Sequence, residues 1–439
     1  MSYLLVGKGI VVTDPGKGMI LLEGGVVIKN GFIEEVGDFS CLKTKHPEAI
    51  LVNAQDRVIM PAFINLHMHL YSTFALGISL PSAPKNFLEV LNNLWWRLDK
   101  ALDPEDIYYS ALVVLIDTAK CGTTTIFDHH SSPWAIPGSL DYLTQAFSEV
   151  GLRGALCYEV SDRDGKEIAR AGIKENIRFL QSAKGDFGAL FGLHASFTLS
   201  QTTLKECVEA ASSYNAGFHL HAAEDLQDQV ITKKKYGLSV VERLYRAGVM
   251  GPKTILAHGV HLTPSEWDII RETDSILVHN PESNMNNAVG YLTVEKLMEQ
   301  GIMPGLGTDG MSPDMLREIR LAFLLSRDKS GNPKAGFSTM PSLLLKNNPV
   351  YASRFFSYPF GKLEKGAVGD LIVMDYLPPT PLNENNWLGH FIYGITKSKV
   401  DTTIAKGKIL VRKGEIQGID DDKIRKEASI RAKRLWERW

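Results

Sequence analysis

The chain has 439 residues, and its 48 lysines and arginines nearly balance its 50 aspartates and glutamates. This balance argues against a nucleic-acid binder or a protein drawn to an anionic membrane. The sequence shows no run of about 18 apolar residues that would span a bilayer, and its four cysteines form no C-x-x-C pair. The start of the chain lacks a secretory signal pattern, so we expect a soluble, cytoplasmic protein without nucleic-acid or membrane partners.

The sequence pattern at both ends of the chain predicts β-strands. Residues 1–58 contain short β-like runs separated by glycine turns, and Asn30-Gly31 between two apolar runs is typical of a hairpin. Similar runs return between residues 369 and 415. We predict that segments 1–58 and 350–418 pair into one small β-sandwich domain, and that the charged segment 419–439 forms a C-terminal helix.

The middle of the chain, residues 59–349, alternates short apolar runs with helical segments. Most runs are about one strand–helix unit apart. This pattern predicts the α/β class and a (β/α)8 TIM-type barrel, whose active site would lie at the C-terminal ends of its strands. The eight runs end near Leu66, Phe127, Glu159, His194, His221, His258, His279 and Asp309.

Two histidines one residue apart, His67 and His69, end the first of these runs. The two-residue period of a strand points both imidazoles to the same face, where they could grip one divalent metal. Taken alone, the pair could equally be two unrelated histidines that pack or face solvent. The clustering of other histidines at the later strand ends favours the metal site.

Imidazoles and carboxylates at those later ends suggest the rest of the chemistry. Three imidazoles and one carboxylate suit Zn²⁺ or Fe²⁺ with a position left for water, and the pKa of a water bound there can fall to about 7. A nearby carboxylate such as Glu224 could carry protons, and His258 could hold the nucleophile. Asp309 lies between glycines that let the backbone turn tightly.

These motifs together resemble the amidohydrolase superfamily. The resemblance is to its single-metal branch, which includes cytosine deaminase, guanine deaminase, S-adenosylhomocysteine/methylthioadenosine deaminases and triazine hydrolases. Residues 127–133 add a resemblance to a subgroup of putative aminohydrolases. The matching segments run in order through nearly the whole chain: 61–69, 121–125, 194–200, 221–224, 257–262, 279–285, 307–310 and 361–375.

The resemblance implies a role for each matching residue. His67, His69, His221 and Asp309 would be the metal ligands, and Asp309 could also accept a proton from water. Glu224 would shuttle a proton to a ring nitrogen and to the departing amine, and His258 would contact the attacking oxygen. Two choices rest on this family pattern.

The first choice concerns the fifth run, where spacing alone does not separate His219 from His221. The His-x-x-Glu spacing of the family selects His221 and leaves His219 in the barrel interior. The second choice concerns metal count. The fourth run ends in His194, whereas two-metal relatives place a carboxylated lysine there, so we expect one metal.

The substrate contacts are less specified by the sequence. We predict His194, His130, Trp95 and His279 as substrate-binding residues. Two of these predictions have structural alternatives. Trp95 and Trp96 could instead form the apolar side of an amphipathic helix. His129 and His130 could instead bind a second metal or cap a helix. Two arginines are possible anchors for the substrate, namely Arg153 and Arg163.

The function that we expect is metal-dependent hydrolysis of carbon–nitrogen bonds other than peptide bonds. We predict hydrolytic deamination of a small amino-substituted heterocycle of purine, pterin or pyrimidine type, with Zn²⁺ as the metal and Fe²⁺ as the alternative. Expulsion of chloride or an alkylamine, or opening of a cyclic amide, would use the same groups. A non-catalytic accessory role is the alternative from another class, and family habit allows a homo-oligomer.

Overall fold

The computed structural model describes residues 3–80 and 82–439. Its strands are β1 (Tyr3–Asp14), β2 (Met19–Lys29), β3 (Phe32–Asp38), β4 (Ile50–Asn53), β5 (Val58–Pro61), β6 (Phe63–Met68), β7 (Thr123–His130), β8 (Arg153–Tyr158), β9 (Phe187–Ala189), β10 (Phe191–Ala195), β11 (Phe218–Ala222), β12 (Ile255–His258), β13 (Ile276–His279), β14 (Gly305–Leu306), β15 (Leu371–Met374), β16 (Val400–Ala405), β17 (Lys408–Arg412) and β18 (Glu415–Ile416).

The α-helices are α1 (Phe39–Lys45), α2 (Phe87–Val90), α3 (Trp96–Ala101), α4 (Pro104–Lys120), α5 (Ser139–Val150), α6 (Lys166–Ser182), α7 (Gln201–Ser212), α8 (Leu226–Tyr236), α9 (Val240–Ala247), α10 (Pro264–Glu272), α11 (Pro281–Asn286), α12 (Val294–Glu299), α13 (Met315–Ser330), α14 (Thr339–Ser342), α15 (Asn348–Ala352), α16 (Trp387–Tyr393) and α17 (Asp421–Arg438). Shorter 3₁₀ turns occupy Leu70–Ala75, Ser196–Thr198 and Ile395–Lys397, and π-helical turns occupy Leu91–Trp95 and Leu343–Asn347. No helix in the described ranges combines the length and apolar character needed to cross a membrane.

Strands from the two ends of the chain pair in one nine-stranded sheet. Its strands follow the order β18-β17-β16-β15-β5-β1-β2-β3, with β4 paired to β1, so the C-terminal strands join the N-terminal ones where β15 pairs with β5. The predicted hairpin is present between β2 and β3, and its turn residues Asn30 and Gly31 both have positive φ, at 53° and 87°. One apolar core contains residues of both ends, among them Val26, Ile28 and Leu371.

The middle of the chain has the strand order of the predicted barrel. Parallel sheets of four strands (β6–β9) and five strands (β10–β14) follow one another along the chain. Isolated parallel bridges, Val160 to Leu193 and Met68 to Asp309, connect the two sheets at either side. Strands β9 and β10 flank Leu190 and act as one interrupted strand, because β9 pairs with β8 and β10 pairs with β11. The eight predicted runs therefore occupy eight consecutive positions of a parallel strand arrangement, and the predicted α/β class is confirmed.

The outer helices begin where their sequences provide caps. Helix α4 starts at Pro104, and Asp103 accepts a hydrogen bond from the Asp106 amide while the Asp106 side chain accepts one from Asp103. The predicted C-terminal helix is also present as α17, which packs against α4 through fully buried Leu435. The indole N–H of Trp436 donates to the Phe74 carbonyl at 2.8 Å, so this helix supports the turn that follows the first barrel strand.

A buried ion pair connects the barrel to the sheet of the chain ends. Arg153 at the start of β8 donates to the carboxylate of Asp370, which precedes β15, and both side chains are almost fully buried. The same carboxylate accepts from the Thr124 hydroxyl at 2.7 Å and from the Lys406 amide at 2.8 Å. Since its guanidinium is engaged here, Arg153 is not the substrate anchor that the sequence allowed.

We expect the Asp370→Asn variant to lower the free energy of unfolding by about 3–5 kcal/mol, because it leaves the buried Arg153 charge without its partner. Urea denaturation followed by circular dichroism measures this change. The control is Glu167→Gln, which breaks an exposed pair with Arg170 and should leave the midpoint unchanged. Equal midpoints for the two variants would show that the buried pair does not stabilise the joint.

Candidate active site

Four side chains from three distant parts of the chain meet at the C-terminal ends of the barrel strands. His67 lies in β6 and His69 follows it, His221 lies in β11, and Asp309 follows β14. The Nε2 atoms of His69 and His221 are 3.0 Å apart. Asp309 Oδ1 lies 3.3 Å from His67 Nε2 and 3.0 Å from His69 Nε2. The structure therefore brings together all four predicted metal ligands.

The backbone around these residues explains the glycines in the motif. The amides of Thr308 and Asp309 both donate to the carbonyl of His67, so the end of β14 lies directly against β6. A Cβ on Gly307 would lie only 2.8 Å from the Cβ of His67, so only glycine fits there. Asp309 and His258 have positive φ, at 55° and 76°, a conformation that costs energy for residues other than glycine and is common at functional sites.

Hydrogen bonds fix which nitrogen of each imidazole faces the cluster. His69 Nδ1 lies 2.5 Å from the carbonyl of His129, and His221 Nδ1 lies 3.1 Å from the carbonyl of His194. A carbonyl only accepts, so Nδ1 carries a hydrogen in both rings and Nε2 is the nitrogen that faces the cluster. The Nε2 of His67 is also buried and has no hydrogen-bond partner among the described residues.

This donor set fits a divalent cation. The side chains of His67, His221, His258 and Asp309 each offer a ligand atom, and these four atoms lie within 4.8 Å of one another. His69 Nε2 joins them through its 3.0 Å distances to His221 Nε2 and Asp309 Oδ1, and a positive charge within such a set of nitrogen and oxygen atoms stabilises it. The set matches the nitrogen and oxygen ligands of zinc-type ions. His219 supports the arrangement from behind, because its Nε2 lies 2.8 Å from His67 Nδ1 and its side chain is fully buried.

Burial and mutual interactions shift the pKa values of the clustered side chains. Burial lowers the pKa of His67 to about 4, which keeps this imidazole neutral at pH 7. Burial raises the pKa of Asp309, but the close imidazoles of His67 and His69 outweigh it and hold that pKa well below its usual range. Burial lowers the pKa of His69, yet Asp309 raises it overall to about 9, so a proton and a metal ion compete for the same Nε2.

Glu224 and His258 lie beside this cluster. Ala223, with φ of 49°, turns the chain after β11 so that Glu224 follows closely on His221. Glu224 Oε2 lies 3.6 Å from His258 Nε2, and its Oε1 accepts from Asn287 Nδ2 at 3.2 Å. Burial raises the pKa of Glu224 to about 7, which suits a group that takes up and releases protons near neutral pH.

His258 is oriented by the side chain of Asn284 in α11. Its Nδ1 donates to the amide oxygen of Asn284 at 2.8 Å, so its Nε2 faces Glu224 and lies 3.9 Å from Asp309 Oδ2. The hydroxyl of Ser283 donates to the same Asp309 oxygen. Helix α11 thus provides the groups that orient both His258 and Asp309.

A cavity of about 670 Å³ opens onto the site. Its inner wall includes His69, His221, Glu224 and Asp309. Its outer wall is largely aromatic and apolar and contains Phe87, Leu91, Trp95, Trp96 and Phe197. A cavity whose exposed walls are mainly apolar, with polar groups at one end, is typical of small-molecule sites.

Two of the four predicted substrate contacts lie on the cavity wall. Trp95 and His194 both line the cavity. His130 is fully buried outside the cavity wall, with its Nε2 3.0 Å from the Ser132 hydroxyl, because alternate residues of β7 point to opposite sides. His279 is also fully buried and outside the lining. We therefore withdraw His130 and His279 as substrate contacts.

Glu159 is a cavity residue that the sequence reasoning missed. It follows β8, its side chain is almost fully buried, and its carboxylate faces His129 and His194. Burial raises its pKa to about 7. The available signal was its position, since it directly follows a barrel strand as the predicted ligands do.

Comparison with known proteins agrees with this architecture. The Amidohydrolase family pattern matches residues 58–410. Over 445 aligned residues, the chain is 30% identical to a 5-methylthioadenosine/S-adenosylhomocysteine deaminase of Pelotomaculum thermopropionicum, and 99% of each protein is covered. It is likewise 30% identical to a 5'-deoxyadenosine deaminase of Methanosarcina mazei, again with 99% of each protein covered.

Solved structures share the fold at lower identity. An adenosine deaminase from Xanthomonas campestris with bound zinc has a TM-score of 0.85 and 20% identity, with 98% of each chain covered. The guanine deaminase of E. coli has a TM-score of 0.80 and 18% identity, and the match covers 94% of this chain and 100% of that chain. The family match and the donor set together support a divalent metal at the site. Because the family pattern spans most of the sequence and full-length relatives are 30% identical, the chain belongs to the amidohydrolase family.

Proposed function

We propose that this protein is a metal-dependent deaminase that hydrolyses the exocyclic C–N bond of an amino-substituted heterocycle, with purine-type compounds as the first candidates. The names of the full-length relatives support this substrate class, since they are deaminases of adenosine-type compounds. The observation that carries the proposal is the position of Glu224. Its carboxylate, whose pKa burial raises to about 7, lies beside His258 and the four-ligand cluster at one cavity wall.

His67, His69, His221 and Asp309 would hold the metal, and we propose Zn²⁺. This ion accepts imidazole nitrogen and carboxylate oxygen ligands and could keep a position for water. The zinc-bound adenosine deaminase with the same fold adds support. When bound, such an ion supplies positive charge that lowers the pKa of water and stabilises negative charge on oxygen.

The side chains around the cluster would then move the protons. Hydrolytic deamination forms a C–O bond from water, breaks the C–N bond and releases ammonia, so protons must pass from the attacking water to a ring nitrogen and to the amine. Glu224 is suited to this transfer because its pKa near 7 makes it both an acid and a base at neutral pH. His258 Nε2 faces Glu224 and Asp309, where it can hold the oxygen that is being added.

The cavity would bind the substrate and exclude bulk water from it. Trp95 and Trp96 line it beside the site and offer flat apolar surfaces to a heterocyclic ring. Since its lining is mostly apolar, the cavity favours a small flat heterocycle over an extended polar chain.

Ammonia release from metal-loaded protein tests the proposal. The panel contains adenosine, 5'-deoxyadenosine, methylthioadenosine, guanine, pterin and cytosine derivatives. We expect at least one member to yield ammonia and the matching oxo product in equal amounts. Ring-opened product without ammonia would replace the proposal with cyclic-amide hydrolysis, chloride release from a chlorinated ring would indicate a chlorohydrolase, and no turnover of any compound would favour the accessory role.

A further inference from the structure

One wall of the cavity offers hydrogen-bond acceptors and no donor. Glu159 and His194 form this wall at the ends of β8 and β10. His194 Nδ1 lies 2.7 Å from the Thr198 hydroxyl, whose own hydrogen is donated to the Ala195 carbonyl at 3.1 Å. The hydroxyl therefore accepts from Nδ1, and the Nε2 of His194 presents a lone pair 3.8 Å from Glu159 Oε1.

The other neighbour of Glu159 is an acceptor as well. His129 Nε2 lies 3.0 and 3.1 Å from the carbonyls of Leu193 and His219, so this nitrogen carries the ring hydrogen. Its Nδ1, fully buried and without a hydrogen-bond partner, faces Glu159 Oε2 at 3.4 Å. Within residues 3–80 and 82–439, no side chain or amide donates to the Glu159 carboxylate. A buried carboxylate in this setting needs donors, and the open cavity is where they can come from.

The cavity also lacks a free positive side chain in the part of the chain that the structure describes. Arg163 is the one lysine or arginine among its described lining residues. The guanidinium of Arg163 donates to Asp99, to the Ser131 hydroxyl at 3.0 Å, and pairs with Asp164 through Nε at 3.1 Å. Arg163 is thus neutralised by its own partners, and the sequence-based expectation of a free arginine anchor is not supported.

We propose that Glu159 and His194 determine specificity by accepting hydrogen bonds from N–H or O–H groups of an uncharged substrate, and that substrates carrying a phosphate or carboxylate are disfavoured. The inference deepens the proposed function and rests on it for the identity of the reacting site. Strands β8 and β10 lie on one side of β11, whereas Glu224 and His258 lie after β11 and on β12. The recognised donors would therefore lie on the substrate edge away from the leaving amine.

Equilibrium binding on the zinc-loaded protein tests this inference without requiring turnover. The probes are adenine, adenosine, 9-methyladenine, adenosine 5'-monophosphate, guanine and 9-methylguanine, titrated calorimetrically at pH 8 and 4 °C with product checked at the end. Methylation removes the ring N–H, and ribose replaces it with hydroxyl donors. We expect adenine, adenosine or guanine to bind about ten- to hundredfold more tightly than the matching 9-methyl base, because a hydrogen bond to a charged group is lost.

The same titrations separate the two possible kinds of donor. If the free base binds more tightly than the methylated base, the recognised donor is the ring N–H. If adenosine binds more tightly than 9-methyladenine, the recognised donor is a ribose hydroxyl. We expect the monophosphate to bind more than about a hundredfold more weakly than adenosine, since its charge would meet the Glu159 carboxylate and no unpaired lysine or arginine of the described lining.

Two variants make the assignment specific. Glu159→Gln should remove most of the preference for donor-bearing probes while metal content stays unchanged. The control is Glu167→Gln, which removes an exposed carboxylate that does not line the cavity and should leave the preference intact. The inference would be overturned if the methylated and unmethylated bases bound equally tightly, or if adenosine 5'-monophosphate bound as tightly as adenosine. It would also be overturned if no probe bound. Donor-dependent binding without ammonia release would instead overturn the proposed reaction alone.

Discussion

We expect the Glu224→Gln variant to retain its metal and to lose about 10²–10⁴-fold in kcat, because glutamine preserves shape but does not exchange protons. Glu224 lies 3.6 Å from His258 Nε2, and burial holds its pKa near neutrality, so this loss should be in kcat and not mainly in KM. Steady-state ammonia release on the best panel substrate, with metal content measured by plasma emission, gives both numbers.

The control for this variant is Asp225→Asn, an adjacent change of equal charge outside the cluster. We expect it to keep kcat within a few-fold of the parent protein. Full activity in Glu224→Gln would show that another group carries the proton, with His258 as the first to examine. Loss of metal in that variant would show that Glu224 is a ligand instead of a proton carrier.

We expect the Asp309→Asn variant to purify with little or no metal and to lose activity at all accessible zinc concentrations. The substitution removes the one negative charge within 3.0–3.3 Å of two Nε2 atoms, so three neutral imidazoles remain. The parent protein should lose thermal stability after chelation, since bound metal stabilises the folded state, and the variant should show no such shift. Differential scanning fluorimetry with and without chelator records the difference.

We expect Ser283→Ala to have a milder effect on metal binding than Asp309→Asn. Its hydroxyl donates to Asp309 without belonging to the ligand set, so its loss should weaken metal affinity by about 10–100-fold and leave activity recoverable with added zinc. Stoichiometric metal in Asp309→Asn would contradict the assigned ligands. Identical behaviour of the two variants would mean that Asp309 is held in place by Ser283 and contributes no charge to the metal.

The parts of the site that the sequence could predict are those fixed by strand ends. His67, His221 and His258 each lie at the C-terminal end of a short apolar run, and parallel barrel strands bring such ends to one face whatever the loops do. The hairpin at Asn30-Gly31 was predictable for a similar reason, because a two-residue turn with positive φ has few sequence solutions.

The parts that the sequence could not settle depend on side-chain direction and on partners far away in the chain. His130 was expected at the cavity, but β7 continues to this residue and its pleat turns the side chain outward, whereas His129 points inward. Arg153 and Arg163 were possible anchors until the structure paired them with Asp370 and Asp99. These ion pairs join residues separated by tens to hundreds of positions, and no local sequence pattern predicts which residues will pair.

The most direct test of a metal-dependent deaminase is one experiment in ¹⁸O-labelled water. Metal-replete protein, chelator-treated protein and chelator-treated protein with zinc restored are each incubated with the best panel substrate. We predict one ammonia and one ¹⁸O atom, at the carbon that lost nitrogen, for each product formed, with turnover abolished by chelation and regained with zinc. Turnover that survives complete removal of the metal, or product that forms without ammonia and without ¹⁸O, would contradict the proposed function.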